Sequence, residues 1–101
     1  MLVVVVASGE LNADGAELLS SYLRRVQLDN DVVVDLWDIT MCDAEGVDAL
    51  VAAKARADEA GWGFAVVADA DGPCVEALDA RGVSDITTYA DRHAARDALQ
   101  H

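Results

Sequence analysis

An α/β fold on a mainly parallel sheet is what this sequence predicts, and three observations predict it. Short runs of β-forming residues recur four times, at Val3 to Val6, Val32 to Leu36, Phe64 to Ala68 and Ile86 to Tyr89, each followed by a stretch of helical length. The first two runs are apolar continuously rather than alternately, the pattern of strands covered on both faces, as parallel sheets require. Between the runs, apolar residues return every three or four positions, so each connection is expected to lay one helical stripe on the sheet.

Taken in order, the Val3 to Val6 strand leads into a first helix whose Ala16, Leu19, Leu23 and Val26 form one buried stripe. A second strand at Val32 to Leu36 precedes a helix carrying Val47, Leu50, Ala53, Ala57 and Ala60. Its mostly small residues allow close approach to the sheet, and Gly61 stops it. After the Phe64 to Ala68 strand, Asp71-Gly72-Pro73 is the one breaker cluster, with Pro73 suited to a first helical position before Val75 and Leu78. Beyond the Ile86 to Tyr89 strand, Asp91 can cap a last helix containing Ala94, Ala95, Ala98 and Leu99.

At 101 residues the chain is expected to form one domain, residues 1–101, with a single core. An apolar content of 53% excludes general disorder, and no linker or low-complexity tract interrupts it. The opening LVVVVA lacks a basic flank and falls far short of the ~20 apolar residues that cross a bilayer. It reads as a strand, with no membrane insertion, and the expected location is cytoplasmic. Acidic residues outnumber Lys plus Arg by 19 to 7, giving a formal charge of −12. Phosphate backbones repel such a chain, so nucleic acid is excluded as a direct ligand. The acidity serves either solubility alone or an electrostatically matched basic partner. Lys54 is the only lysine, and the excess of Arg over Lys with abundant Ala and Val fits a high-GC bacterial genome.

The segment DVVVDLWDITMCDAEGVDAL, with Asp43-Ala44-Glu45-Gly46 between two apolar runs, resembles the switch region of the STAS domain of sulfate transporters and anti-sigma-factor antagonists. The resemblance extends along nearly the whole chain. Gly9-Glu10-Leu11-Asn12 is similar to the family's Gly-Glu-Leu-Asp turn after its first major strand, and Val33-Val34-Asp35-Leu36 to the strand that follows. The Gly61 turn before Phe64-Ala65-Val66-Val67, and Arg81-Gly82-Val83 after Leu78, stand where the family has a Gly-ended helix and a Gly-Leu-like turn. What this implies is an open sheet with strands in chain order and helices stacked as a βα superhelix. It also implies a protein-binding regulator of transcription that acts on sigma-factor control, with a kinase-like anti-sigma factor as partner.

In the family's antagonists the third residue of the tetrapeptide is a serine that the partner kinase phosphorylates, and phosphorylation releases the antagonist. Here that residue is Glu45, and Ala44 also replaces a common serine. Serine phosphorylation at this position is therefore excluded. A phosphoserine carries about −1.5 to −2 charges and three acceptor oxygens, against one charge and two oxygens for Glu. Glu45 thus either imitates the phosphate and weakens binding, or leaves a binder that this modification does not switch off. A third reading is structural. Asp43 is expected to be the N-cap of the second helix, its side chain accepting a first-turn N–H, which places Glu45 within that turn, where the macrodipole favours a carboxylate by about 0.3 to 1 kcal/mol. Asn12, at the family's aspartate, caps a helix equally well. The expected partner-binding residues are accordingly Glu10, Asn12, Asp43, Ala44, Glu45 and Gly46.

Catalytic readings of the same chain fail on their own chemistry. Asp38, Asp43, Glu45 and Asp48 invite a Mg²⁺ or receiver-type site, but the acidic pair after the first strand is lacking, Asn12 being an amide, and Lys54 lies inside the second helix. Ser8, Ser20, Ser21 and Ser84 have no nucleophile-elbow context, and His93 and His101 lie in the terminal segment. There is no glycine-rich phosphate loop. Cys42 and Cys74 show no metal-ligand spacing, and acidic neighbours should raise the Cys42 pKa, so reduced structural thiols are expected. The sequence thus predicts a non-enzyme with no cofactor and no metal. An alternative to the sigma-regulatory role is a STAS accessory subunit of an ABC-type lipid transport system, in which Glu45 has no switching function.

Family members usually begin with a strand upstream of the first one here, which this sequence is not expected to contain. The Val3 to Val6 strand then lies at a bare edge, a pairing hazard that predicts a homodimer through this region or a covering segment.

Overall fold

Parallel pairing between the first two strands organises the molecule. The computed structural model describes residues 1–99 and places β1 at Leu2–Leu11, α1 at Ala13–Val26, β2 at Asp31–Cys42, α2 at Ala44–Ala60, β3 at Phe64–Val67, α3 at Pro73–Ala80, β4 at Thr88–Tyr89 and α4 at Arg92–Leu99. His101 lies outside the described residues. All pairings are parallel and the strand order is β1-β2-β3-β4. The fold is therefore the expected α/β architecture of four βα units, with strands side by side in chain order and β1 at an open edge.

Residue alternation on β2 explains how both faces are covered. Val32, Val34 and Leu36 enter the larger core with Leu19 and Leu23 of α1, Val47 and Leu50 of α2, and Leu78 of α3. Val33 points the other way and packs with Ala65, Val67 and Ala95 of α4 in a smaller cluster. Three helices thus cover one face and α4 the other, which accounts for the continuous apolarity of β2. The stripe of α1 is buried at Ala16, Leu19 and Leu23, with Val26 partly buried against the core. The stripe of α2 is buried from Val47 to Ala57, whereas Ala60, expected in it, is exposed because it falls in the last turn beyond the sheet.

Several boundaries differ from the sequence reading, and backbone pairing explains the largest difference. The first two strands run five and six residues past Val6 and Leu36, through Leu11 and Cys42. Between Val6/Asp35 and Ser8/Asp38, and again between Gly9/Ile39 and Glu10/Met41, β2 carries one extra residue. Each bulge breaks the period-2 pattern by which a strand is recognised. Gly9, with φ +86, sits at the second bulge, so Gly9-Glu10-Leu11 belongs to the strand rather than to a turn. The fourth strand is only Thr88–Tyr89, and Ile86 is buried just outside it. Helix termini follow the reading more closely. Pro73 opens α3, Gly61 ends α2 in the left-handed region at φ +80, and Asp91 Oδ1 accepts the Ala94 N–H at 2.8 Å.

Candidate functional site

Beyond the bulges, β1 and β2 continue as a two-stranded ribbon, since β3 pairs only with Val32 to Asp35. The ribbon ends with Leu11 beside Cys42, and the Asp43 N–H donates to the Leu11 carbonyl at 3.0 Å. Each strand then passes directly into a helix, so the first turns of α1 and α2 start side by side. This pairing brings together the two sequence segments that carry the candidate residues, Glu10 with Asn12 and Asp43 through Gly46.

Asn12 is the N-cap of α1. Its backbone is extended, and its Oδ1 accepts the Gly15 N–H at 3.0 Å. Asp43 occupies the equivalent position before α2, also with extended backbone, but its side chain makes no capping hydrogen bond. The expected side-chain cap is corrected accordingly. Backbone groups tie Asp43 in place instead: its N–H pairs with β1, and its carbonyl accepts the Val47 N–H at 3.2 Å and the Cys42 thiol at 3.8 Å. The carboxylate is left with a purely electrostatic relation to the helix terminus.

Ala44 and Glu45 are exposed in the first turn of α2, and Glu10 is exposed at the end of β1. Gly46 is buried, for a steric reason that its place in the tetrapeptide did not reveal. A Cβ there would lie 2.8 Å from Leu11 Cγ and 3.0 Å from the Leu11 carbonyl oxygen. Glycine is what lets α2 begin against the end of β1.

A shallow groove of about 440 Å³ between α1 and α2 runs from this corner. Glu45, Asp48 and Glu17 line it together with Ser20 and Arg24. Asp48 also pairs with Arg81 of the α3 C-terminus at 2.8 Å, an exposed bridge of small energetic weight. Farther along the same interface Gln27 is buried, donating to the Ala53 carbonyl at 2.8 Å and accepting from Arg56 Nε at 3.3 Å. Sequence reasoning missed Glu17, Arg24 and Gln27, which belong to one helix face and meet α2 only through the fold. A polar residue in line with the apolar stripe of α1, as Gln27 is with Leu23, was the available signal.

Asp38 lies on β2 opposite Ser8 and is exposed. Lys54 forms an i,i+4 pair with Asp58 at 2.6 Å. Ser20 lines the groove, whereas Ser84 lies in the segment between α3 and β4. His93 sits on α4, 3.4 Å from Asp97.

The two thiols depart most from expectation. Cys42 and Cys74 are far apart in sequence, yet each thiol shifts the pKa of the other. Donation from Cys74 lowers the Cys42 pKa, outweighing burial and the Asp43 charge, both of which raise it. Cys74, the buried donor, has its own pKa pushed well up. The expected upward shift at Cys42 is therefore corrected: the acidic neighbour acts as foreseen, but the contact with Cys74 is stronger.

Among the described residues, none of the candidates forms a nucleophile–base pair. What the corner presents is a largely acidic surface at two helix starts. The family model described as Mlab, STAS domain matches residues 2–88. No curated protein matches the chain. STAS domains serve in general as regulatory or protein-binding modules and are generally not enzymes. By the match over residues 2–88 and the parallel βα architecture that carries it, the chain belongs to the STAS domain family.

Proposed function

We propose that this protein is an anti-sigma-factor-antagonist-like regulator, whose corner of Glu10, Asn12 and Asp43 through Gly46 docks on a kinase-like anti-sigma factor. The observation that carries the reading is the exposure of Glu45 in the first turn of α2, beside residues that the Leu11–Cys42 register delivers from β1. A carboxylate replaces the hydroxyl, so serine phosphorylation at this position does not switch the interaction. Groove residues Glu17 and Asp48 extend the acidic face, matching a basic partner surface. Binding should weaken with added salt, as rim charges act chiefly on association rate. The test compares affinity for a kinase-like anti-sigma factor among wild type, Glu45→Ser and Glu45→Ala. Unequal affinities support a role at this position, and equal affinities sink it.

The missing hydroxyl also favours a second reading, a STAS accessory subunit of an ABC-type lipid transport system that docks without any phosphorylation cycle. Affinity capture from the native cell separates the two, since recovery of a transporter ATPase without an anti-sigma factor overturns the first. Both readings place the protein in the cytoplasm of a bacterium. No helix among the described residues is long and apolar enough to cross a membrane.

The open edge of β1 supports homodimerisation as part of this proposal. Val6 is 56% exposed there, and Leu18 and Tyr22 of α1 are exposed alongside an apolar groove of about 380 Å³. Sedimentation should show a dimer that Val6→Lys dissociates. A monomer at all concentrations removes this element and leaves the docking corner untouched.

A further inference from the structure

Helix α1 flanks the open edge of the sheet, and its outward side carries charges in a definite order. Asp14, Leu18, Tyr22 and Arg25 follow one another at helical spacing and form one stripe. All four are exposed, Leu18 at 73% and Tyr22 at 46%. The Arg25 guanidinium lies over the Tyr22 ring, 5.9 Å from its centroid, so the cation continues the apolar pair. Leu18 and Tyr22 also line the apolar groove of about 380 Å³ between α1 and the edge strand, with Val5 and Ser8 of β1. Among the described residues, neither Asp14 nor Arg25 has an ion-pair partner.

We infer that two copies of this chain pair about a twofold axis perpendicular to the sheet, with both β1 edges and both α1 stripes antiparallel, so that Asp14 of each copy meets Arg25 of the other. The stripe is complementary to its own reverse. Its acid and its cation share a centre near Ser20, and so do Leu18 and Tyr22. Half a turn of one copy therefore sets Asp14 against Arg25 at both ends and the apolar residues against each other between them. Parallel pairing of the edges needs an axis along the strands. It lays α1 of one copy beside the opposite face of the other and leaves the stripe without a mate. The edge strand suits the antiparallel order too, since Leu2 to Ser8 carries no charge and its outer side offers unpaired backbone groups. Rim charges that match in one orientation fix register more than they add affinity. The arrangement rests on the homodimer proposed for the β1 edge and supplies its orientation and its specificity. It also sets the two docking corners at opposite ends of the joined strands, because each corner lies at the end of β1.

The test follows self-association by sedimentation for wild type, Asp14→Arg, Arg25→Asp and the double variant. Each single change makes both ends of the crossing like-charged and should weaken the dimer at least about tenfold. The double variant restores opposite charges and should dimerise like wild type. Mixed in equal amounts, the two single variants should form a heterodimer, since one offers two arginines where the other offers two aspartates. Asp14 and Arg25 also suit the two ends of the helix dipole, but a role confined to the helix would leave that mixture unassociated and overturn the inference. Arg24→Asp changes the same last turn on the side facing α2 and should leave the dimer intact. A loss there as large as for Arg25→Asp would also overturn the inference. A wild-type dimer indifferent to both single changes overturns the antiparallel crossing and leaves the β1-edge dimer standing, whereas a monomer at all concentrations overturns both. Circular dichroism checks the fold of each variant. Should one be unfolded, hydrogen exchange on wild type at low and high concentration decides: protection gained at β1 and at the Leu18–Tyr22 turn together supports the crossing, and protection at β1 alone overturns it.

Discussion

Gly46 lies against Leu11 so closely that an added Cβ would stand 2.8 Å from Leu11 Cγ. Leu11 is 2% exposed and belongs to the main core, so it has little room to retreat. The contact joins the last residue of β1 to the first turn of α2 and thereby sets how the two halves of the candidate surface meet. Gly46→Ala gains up to about 1 kcal/mol of helix propensity. Overpacking a core contact costs typically 1–3 kcal/mol. A net loss of about 1 kcal/mol is expected in urea unfolding, with an unchanged m-value. A stabilised Gly46→Ala variant would show that Leu11 yields freely.

The two helix starts look alike in sequence but differ in how they are capped, and mutation should expose the difference. Asn12 Oδ1 accepts the Gly15 N–H, whereas the Asp43 side chain makes no capping bond. Asn12→Ala should therefore cost ~1 kcal/mol. Asp43→Ala loses only a macrodipole term of about 0.3 to 1 kcal/mol, screened by salt. At high salt the Asp43→Ala cost should shrink while the Asn12→Ala cost persists. Equal, salt-independent losses would mean that Asp43 caps α2 in solution.

Asp35 shows how the smaller face of the sheet is closed. It is buried, with Oδ2 accepting from Arg92 Nε at 2.6 Å and Oδ1 from the Trp37 N–H at 3.0 Å. The first bond anchors α4, and the second holds the backbone as it enters the first bulge. Arg92 is half exposed, so solvent screens the pair, and Arg92→Ala should cost only about 1 kcal/mol, well below the 3–5 kcal/mol of a fully buried pair. Asp35→Ala removes both bonds and should cost more, about 2–3 kcal/mol. Thermal unfolding of the two variants checks the order, and a larger loss for Arg92→Ala would contradict it.

These residues also show what was legible in the sequence. The four strands, the helix stripes and the Asn12 and Asp91 caps follow from local pattern, because apolar period and capping chemistry act within a few residues. The ribbon from Ser8 to Leu11 and from Asp38 to Cys42 was not legible, since bulges interrupt the alternation and only pairing with the neighbouring strand keeps the chain extended. The candidate surface was half legible. Its segments stood out by resemblance, but Gly46 against Leu11, the groove residues Glu17 and Arg24, and the Cys42–Cys74 contact are products of register and helix packing.

The pH dependence of Cys42 alkylation tests that thiol contact. Iodoacetamide reacts with thiolate, so the rate rises with pH through the Cys42 pKa. In wild type, donation from Cys74 holds that pKa below the ordinary thiol value, so the rate should approach its plateau at lower pH than for a free thiol. In Cys74→Ala the donor is gone, while burial and the Asp43 charge remain, and both raise the pKa. The variant's curve should shift upward, reacting more slowly than wild type near neutrality and matching it only above both pKa values. Adding Asp43→Asn to Cys74→Ala removes the negative charge and should move the curve part of the way back. Rates followed by mass spectrometry from about pH 6 to 10 cover the range in which thiols titrate. Superimposed curves for wild type and Cys74→Ala would show that the two sulfurs do not meet in solution.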